Sequence, residues 1–267
     1  MIVDVHVHFS DQPGYAEQLA AECARLGIDK VCAFNGVFKE GKLAGTLLDA
    51  GKKHPKFLIP FAYFRLGDDH ADLVDRYHDA GYKGMKCIRP RLNYDDKTYY
   101  PVYDRAERLG MPILFHLGIV ARGSQDRYTD VNNDRMRPVY LDTIARAFPG
   151  LTVIGAHFGN PWSDEAAMCA RWNPNLFFDL SGSILKYRPP EFFKQLLWWG
   201  GGKPHYQAPD KSEPWHKILF GTDVGIKEME DVMNDYKNLM SALNLSDEMK
   251  RCVMGGNAAR SLKLDVA

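Results

Sequence analysis

Two histidines one residue apart, His6 and His8, lie in the opening segment IVDVHVHF. In an extended chain such residues project to the same side, so one metal ion can touch both imidazoles. Three further groups of ligand type close other apolar runs: His116 in PILFHLG, His157 in LTVIGAHFG and Asp223 in KILFGTDVG. Imidazole and carboxylate need partners when they leave water. Taken singly, each has a bland explanation, a core histidine bonded to a carbonyl or an aspartate capping a turn. Gathered at one end of a sheet, the five would form a metal site.

The elements that must position them can be read from the same passages. Strict alternation in the first segment puts Val3, Val5 and Val7 on one face and Asp4, His6 and His8 on the other. In a parallel barrel the first face would pack on helices and the second would point inward.

Seven more short β-branched or aromatic runs follow. They are KVCAFNG, FLIPFAYF, GMKCIRP, PILFHLG, LTVIGAHFG, LFFDLSG and ILFGTDVG. Between them, 15–26, 71–80, 99–109 and 138–148 carry helical periodicity, with Leu19, Cys23 and Leu26 on one face of the first. Gly27, Gly81, Gly110 and Gly150 follow these segments, where a helix end favours glycine. Ser246 and Asn257 stand where two short closing helices would start.

Eight β-then-α units predict a single (β/α)8 barrel over residues 1–267, with its site at the C-terminal mouth. A doubly wound open sheet is the alternative. It would normally carry a glycine-rich nucleotide loop after the first strand, and HFSDQPG has no GxGxxG. The irregular stretch 198–215 is either a rim loop or a subunit contact, which makes a homodimer one option.

The 34 basic and 34 acidic residues cancel, and no run of like charge suggests nucleic acid as a partner. The five cysteines, Cys23, Cys32, Cys87, Cys169 and Cys252, are scattered without a CxxC pair, so neither disulfides nor a thiolate cluster is expected. No apolar stretch reaches membrane-spanning length. The chain opens on a strand-like segment rather than a signal peptide, so a cytoplasmic protein acting on a small molecule is expected.

In this order, His-x-His, His, His and Asp resemble the amidohydrolase superfamily, and in particular its branch of small metal-dependent hydrolases and non-oxidative decarboxylases. IVDVHVHF, GMKCIRP, HLG, HFGNPW, FGTDVG and GNAARSLKL carry the resemblance along the whole chain. It implies that His6, His8, His116 and Asp223 bind one divalent cation, usually zinc. Manganese, iron and cobalt also suit these donors. It further implies that His157 acts beside the metal and that Asp223 exchanges protons with substrate. In some superfamily members a carboxylated lysine on the fourth strand bridges two metals. Lys86 in GMKCI occupies that strand, but the single-ion reading is favoured, because a buried lysine can instead pair with a carboxylate or shift its pKa.

Arg89, Arg91 and Asn160 are the expected substrate contacts, with Arg122, Arg127, Arg135 and Arg137 crowding the next loop. Guanidinium groups match carboxylates, which points to a small acidic substrate. The expected reaction is hydrolysis of a carboxylate-bearing ester, lactone or amide by activated water. The alternatives are decarboxylation of a small aromatic or unsaturated acid, and a metal-free binding protein on the same barrel.

Overall fold

A computed structural model describes residues 1–35, 45–124, 126, 130–200 and 202–265. Arg127 and Gly36, the last residue of KVCAFNG, lie outside the described residues, as does Gly201 within the 198–215 stretch. Eight parallel strands pair in sequence order. They are β1 (Val3–Phe9), β2 (Lys30–Asn35), β3 (Leu58–Phe64), β4 (Gly84–Cys87), β5 (Ile113–Phe115), β6 (Val153–Gly155), β7 (Leu176–Asp179) and β8 (Ile218–Leu219). Two backbone bonds close the ring. Val5 N–H donates to Phe220 O at 3.0 Å and Asp223 N–H donates to His6 O at 2.8 Å. The fold is thus a single (β/α)8 barrel, with a strand in each of the eight segments expected.

Amphipathic helices cover the outside. The first six are α1 (Tyr15–Leu26), α2 (Gly45–Lys53), α3 (Leu73–Ala80), α4 (Tyr100–Arg108), α5 (Pro138–Ala147) and α6 (Ser163–Trp172). The short α7 (Ser183–Tyr187) and α8 (Pro190–Leu196) precede α9 (Met229–Ala242), α10 (Asp247–Arg251) and α11 (Asn257–Ser261). Leu19 and Cys23 of α1 are buried, and Leu26 packs against the same core. Gly27 and Gly81 end their helices in the left-handed conformation.

Two expected caps are corrected. Gly150 does not cap α5, which ends at Phe148. Its amide instead donates to Glu107 Oε1 at 2.6 Å. Asn257 does not cap α11: it is that helix's first residue, reached without a break from α10 through a π-helical turn at Cys252–Gly256. Its buried amide instead bonds Trp215 O and Ile218 O, both at 2.8 Å, fastening the closing helix under β8. Ser246 does cap α10, accepting from Met249 N–H at 3.1 Å.

The alternation expected along β1 is also corrected. Pairing with β2 slips between Asp4 and Val7. A bulge places one extra residue on the strand and reverses the phase of the side chains beyond it. Val3 and Val5 therefore join the apolar cluster inside the barrel, with Cys32, Phe34, Phe61, Leu114, Ile154, Phe177 and Leu219. Val7 and Phe9 pack outward beneath the helices. His6 and His8 still reach the interior, where both rings lie against Phe34, at 5.4 and 4.7 Å between centroids.

The 198–215 stretch is held from below by buried cations. Arg171 of α6 lies between the Trp172 and Trp198 rings and donates to His205 O at 3.1 Å. Lys217 donates to Asp210 Oδ2 at 2.7 Å. All five cysteines are free. Among the described residues, no helix is long and apolar enough to cross a membrane.

Candidate metal centre

Apart from His6, which lies midway along β1, these ligand-type residues sit at or near a strand's C-terminal end or just beyond it, where barrel enzymes build their sites. His6 and His8 belong to β1, and His116 follows β5 directly. His157 lies in a tight turn after β6 and Asp223 in the loop after β8. His157 and Asp223 adopt left-handed backbone conformations, φ 59° and 52°. Such conformations are costly for residues with a Cβ and persist where surrounding bonds enforce them.

Those bonds are visible. Asp4 is fully buried and accepts from Thr222 Oγ at 2.6 Å, and from the Thr222 and His6 amides at 3.0 Å each. It thereby ties the residue before Asp223 to the residue before Val7. Burial pushes its carboxyl up to about 6. On the other side, Asp179 accepts the His157 amide at 3.0 Å.

The side chains converge. Asp223 Oδ1 lies 2.9 Å from His8 Nε2 and 3.2 Å from His6 Nε2. Donors about 2.0–2.2 Å from a tetrahedral zinc stand about 3.3 Å apart, so this trio has the spacing of ligands to one ion. Among the described residues, His6, His8 and Asp223 form one donor group and His6, His157 and Asp179 a second. In the second, His6 Nδ1 is 2.9 Å from Asp179 Oδ2, a hydrogen bond that spends those two atoms on each other.

His116 is not in the first group. Its Nδ1 is 3.2 Å from His157 Nε2, and its Nε2 is buried with no hydrogen-bond partner. An orphaned imidazole nitrogen is costly unless something absent from the polypeptide uses it. A cation is the natural occupant, so the residues present fit a divalent metal.

Electrostatics agree with that fit. Burial drives His157 down to about 4, and burial together with His157 and Lys86 holds His116 well below the usual imidazole range. Both rings are therefore neutral near pH 7, the form that ligates metals. Asp223 is held far below the usual carboxylate range, because contact with His6 and His8 outweighs its burial.

Lys86 of β4 points into this cluster. It is fully buried, with Nζ 3.1 Å from His6 Nε2 and 4.9 Å above the Phe34 ring. Burial lowers its ammonium to about 8.

The remaining residues singled out by sequence are spread around the rim. Arg89 is exposed, with Nη2 3.6 Å from Asp126. Arg91 bonds Asp68 from Nε at 2.9 Å and Nη2 at 3.2 Å. Arg135 pairs with Asp130, and Arg137 with Glu165 and Asp134. Asn160 is committed at both ends of its amide, to Ser183 Oγ at 3.2 Å and Tyr187 Oη at 3.1 Å.

Asp179, Ser181 and Phe34 escaped the sequence reading. Asp179 closes the apolar run LFFD much as His116 closes PILFH, so the signal was present. Nothing in the spacing pointed to Ser181 or Phe34.

A parallel eight-stranded barrel with a histidine–aspartate cluster at its C-terminal mouth defines a class of metal-dependent barrel enzymes. The chain belongs to the amidohydrolase family, whose sequence profile matches residues 3–264. Membership marks it as an enzyme.

No curated protein matches the chain by sequence. Solved structures do match. An uncharacterized TIM-barrel protein from Bordetella bronchiseptica is 18% identical over 98% of both chains, with a TM-score of 0.70. A probable 2-pyrone-4,6-dicarboxylic acid hydrolase from Acinetobacter baumannii, with citric acid bound, is 14% identical over 98% of this chain and 99% of its own, TM-score 0.64. A 5-carboxyvanillate decarboxylase from Novosphingobium aromaticivorans, with manganese bound, is 13% identical over 99% of this chain and 97% of its own, TM-score 0.63. A matched amidohydrolase from Burkholderia multivorans carries zinc. Hydrolases and decarboxylases thus share this fold, and at these identities the likeness speaks to the fold alone.

Proposed function

We propose that the protein is a metal-dependent hydrolase of a small carboxylate-bearing ester, lactone or amide. The supporting observation is the posture of Asp223. Its Oδ1 shares the ligand spacing of His6 and His8, while Oδ2 turns toward His157 Nε2 at 3.7 Å. One oxygen suits metal binding and the other suits proton exchange.

In this reading His6, His8, His116 and Asp223 hold one divalent cation, most naturally zinc. When bound, the cation acidifies water and polarises a carbonyl. Asp223 takes the water proton and returns it to the leaving group. His157, neutral and with Nε2 toward Asp223, orients the attacking water by accepting from it. Lys86 remains an amine beside His6 rather than a bridge between two ions. Asn160 lines the rim, and Arg89, the least committed of the paired rim arginines, meets the substrate carboxylate with Arg91 beside it.

Supplying the zinc-loaded protein with small dicarboxylic lactones and esters, and separately with hydroxylated aromatic acids, tests this directly. Ring opening or ester cleavage without carbon dioxide is expected. Carbon dioxide release from the aromatic acids, with no hydrolysis, would replace the proposal by a decarboxylase.

A further inference from the structure

One buried carboxylate reaches both His6 on β1 and the turn carrying His157. Asp179 ends β7 with no exposure to solvent. Its Oδ2 lies 2.9 Å from His6 Nδ1. Its Oδ1 accepts the His157 amide at 3.0 Å, the Ser181 amide at 2.9 Å and the Ser181 hydroxyl at 2.5 Å. His157 Nδ1 in turn lies 2.9 Å from Ser181 Oγ and 3.2 Å from the Ser181 carbonyl oxygen.

The proton positions follow from which atoms can only accept. An ionised carboxylate and a peptide carbonyl have no proton to give. His6 Nδ1 must therefore carry a hydrogen and donate it to Asp179. The Ser181 hydroxyl donates to Asp179 Oδ1, so its oxygen is left to accept from His157. His157 Nδ1 must likewise carry a hydrogen, which the Ser181 carbonyl independently requires. His157, neutral, then presents an unprotonated Nε2. His6 Nε2 faces Lys86 Nζ at 3.1 Å, which favours a lone pair there, and Asp223 Oδ1 at 3.2 Å, which favours a second proton until a cation takes its place.

We propose that Asp179 and Ser181 are positioning residues that hold the Nδ1 protons of His6 and His157 together, so that Nε2 faces the metal centre as a bare lone pair on His157 and, once a cation is bound, on His6. Two other contacts fall into place. A bare His6 Nε2 can accept from Lys86 Nζ at 3.1 Å. A bare His157 Nε2 can accept from His116 Nδ1 at 3.2 Å, which leaves His116 Nε2 unprotonated as well. That is the buried nitrogen without a partner, and as a lone pair it is a metal donor rather than a stranded N–H. Partners behind a ligand histidine set its tautomer, orientation and basicity.

The tautomer assignment stands on hydrogen bonds alone. Its consequence for metal affinity rests on the reading of His6 as a ligand. Long-range proton–nitrogen NMR on the full-length chain with labelled histidine separates the two, first without metal and then with zinc. Wild type should show His6 and His157 protonated at Nδ1 before any zinc is added, with Nε2 bare on His157 throughout and on His6 once zinc is bound. Ser181→Ala removes the hydroxyl acceptor but keeps the backbone carbonyl, so it should shift the His157 Nδ1–H signal while the proton stays on Nδ1, with little change at His6. Asp179→Asn places an amide donor against His6 Nδ1 and should drive His6 to the Nε2-protonated form. Zinc affinity, read by chelator competition, should fall about 10- to 100-fold in this variant and less in Ser181→Ala.

A wild-type His157 protonated at Nε2, a His6 lacking the Nδ1 proton, or a Ser181→Ala protein with the His157 signals unaltered, would overturn the proposal. So would undiminished zinc affinity in a folded Asp179→Asn protein. Should Asp179→Asn fail to fold, the Ser181→Ala spectrum decides. The expected tautomers in a protein that binds no zinc would support the hydrogen-bond assignment while removing the metal reading.

Discussion

The backbone amide of Asp223 donates to the carbonyl of His6 at 2.8 Å. That bond helps close the barrel between its last strand and its first, and it sets the Asp223 carboxylate against the first histidine pair. Residues more than two hundred positions apart in the chain meet because the sheet closes. The left-handed backbone at Asp223 bends the chain back over the mouth, with Asp4 and Thr222 beneath it. Barrel closure and the assembly of the donor cluster are the same structural event.

Asp223→Asn keeps the size of the side chain but removes its proton acceptor. Turnover should fall about 10²- to 10⁴-fold, the usual contribution of a positioned acid or base, with a much smaller change in KM. Steady-state kinetics at saturating zinc provide the measurement. A variant that retained wild-type kcat would remove Asp223 from proton transfer.

The rim arginines should separate. Arg91 is held in a two-point contact with Asp68, whereas Arg89 Nη2 makes a long 3.4 Å bond to the Ala121 carbonyl and a 3.6 Å approach to Asp126. Replacing Arg89 by Ala should raise KM for a carboxylate-bearing substrate about tenfold or more, as expected for loss of a charge-assisted contact. Arg91→Ala should raise it less. The reverse order would move the carboxylate toward Arg91.

Two glycines outside the donor set give a stability contrast. Both Gly27 and Gly118 have positive φ, 73° and 89°. A Cβ on Gly27 would meet nothing within 4 Å, while one on Gly118 would stand 1.9 Å from the Asn160 carbonyl oxygen. Gly27→Ala should cost about 1 kcal/mol for its backbone conformation. Gly118→Ala adds a clash between the loops carrying His116 and His157, and should cost about 2–4 kcal/mol in all. Urea denaturation reads the difference, and equal losses would contradict the tight packing of those loops.

Acid should weaken one anchor of the 198–215 stretch. Burial raises the Asp210 pKa, but Lys217 and Ser212 outweigh it and the net shift is downward. A depressed carboxyl stabilises the fold fully above its unfolded pKa of about 3.9, and that contribution is lost as pH falls through the lower folded value. Asp210→Asn should therefore cost about 1–3 kcal/mol at pH 7, with the gap to wild type narrowing below about pH 4. A gap independent of pH would show that the Asp210 charge does not contribute.

Much of this architecture was legible in the sequence because it follows from local pattern. Short apolar runs ending in His or Asp, separated by helical segments with terminal glycines, specify the repeated unit and the end of the barrel that carries chemistry. The bulge in β1 was not legible, since VDVHV alternates perfectly and only pairing with β2 reveals the slip. The side chain of Asn257 reads as a helix start because its long-range partners, Trp215 O and Ile218 O, lie about forty residues away. The place of His116 beside His157, rather than in the tight trio with Asp223, depends on ring orientations that spacing does not encode. Ser181 is a short polar residue in a loop, and only its contact with His157 distinguishes it from any other.

The central claim is that His6, His8, His116 and Asp223 hold one divalent ion at the barrel mouth. Crystals of the zinc-loaded protein, measured on both sides of the zinc absorption edge, test it most directly. One anomalous peak is expected within about 2.0–2.2 Å of donor atoms from all four residues. A peak elsewhere, or none in protein that binds no zinc in solution, would contradict the metal centre and the hydrolytic function proposed for it.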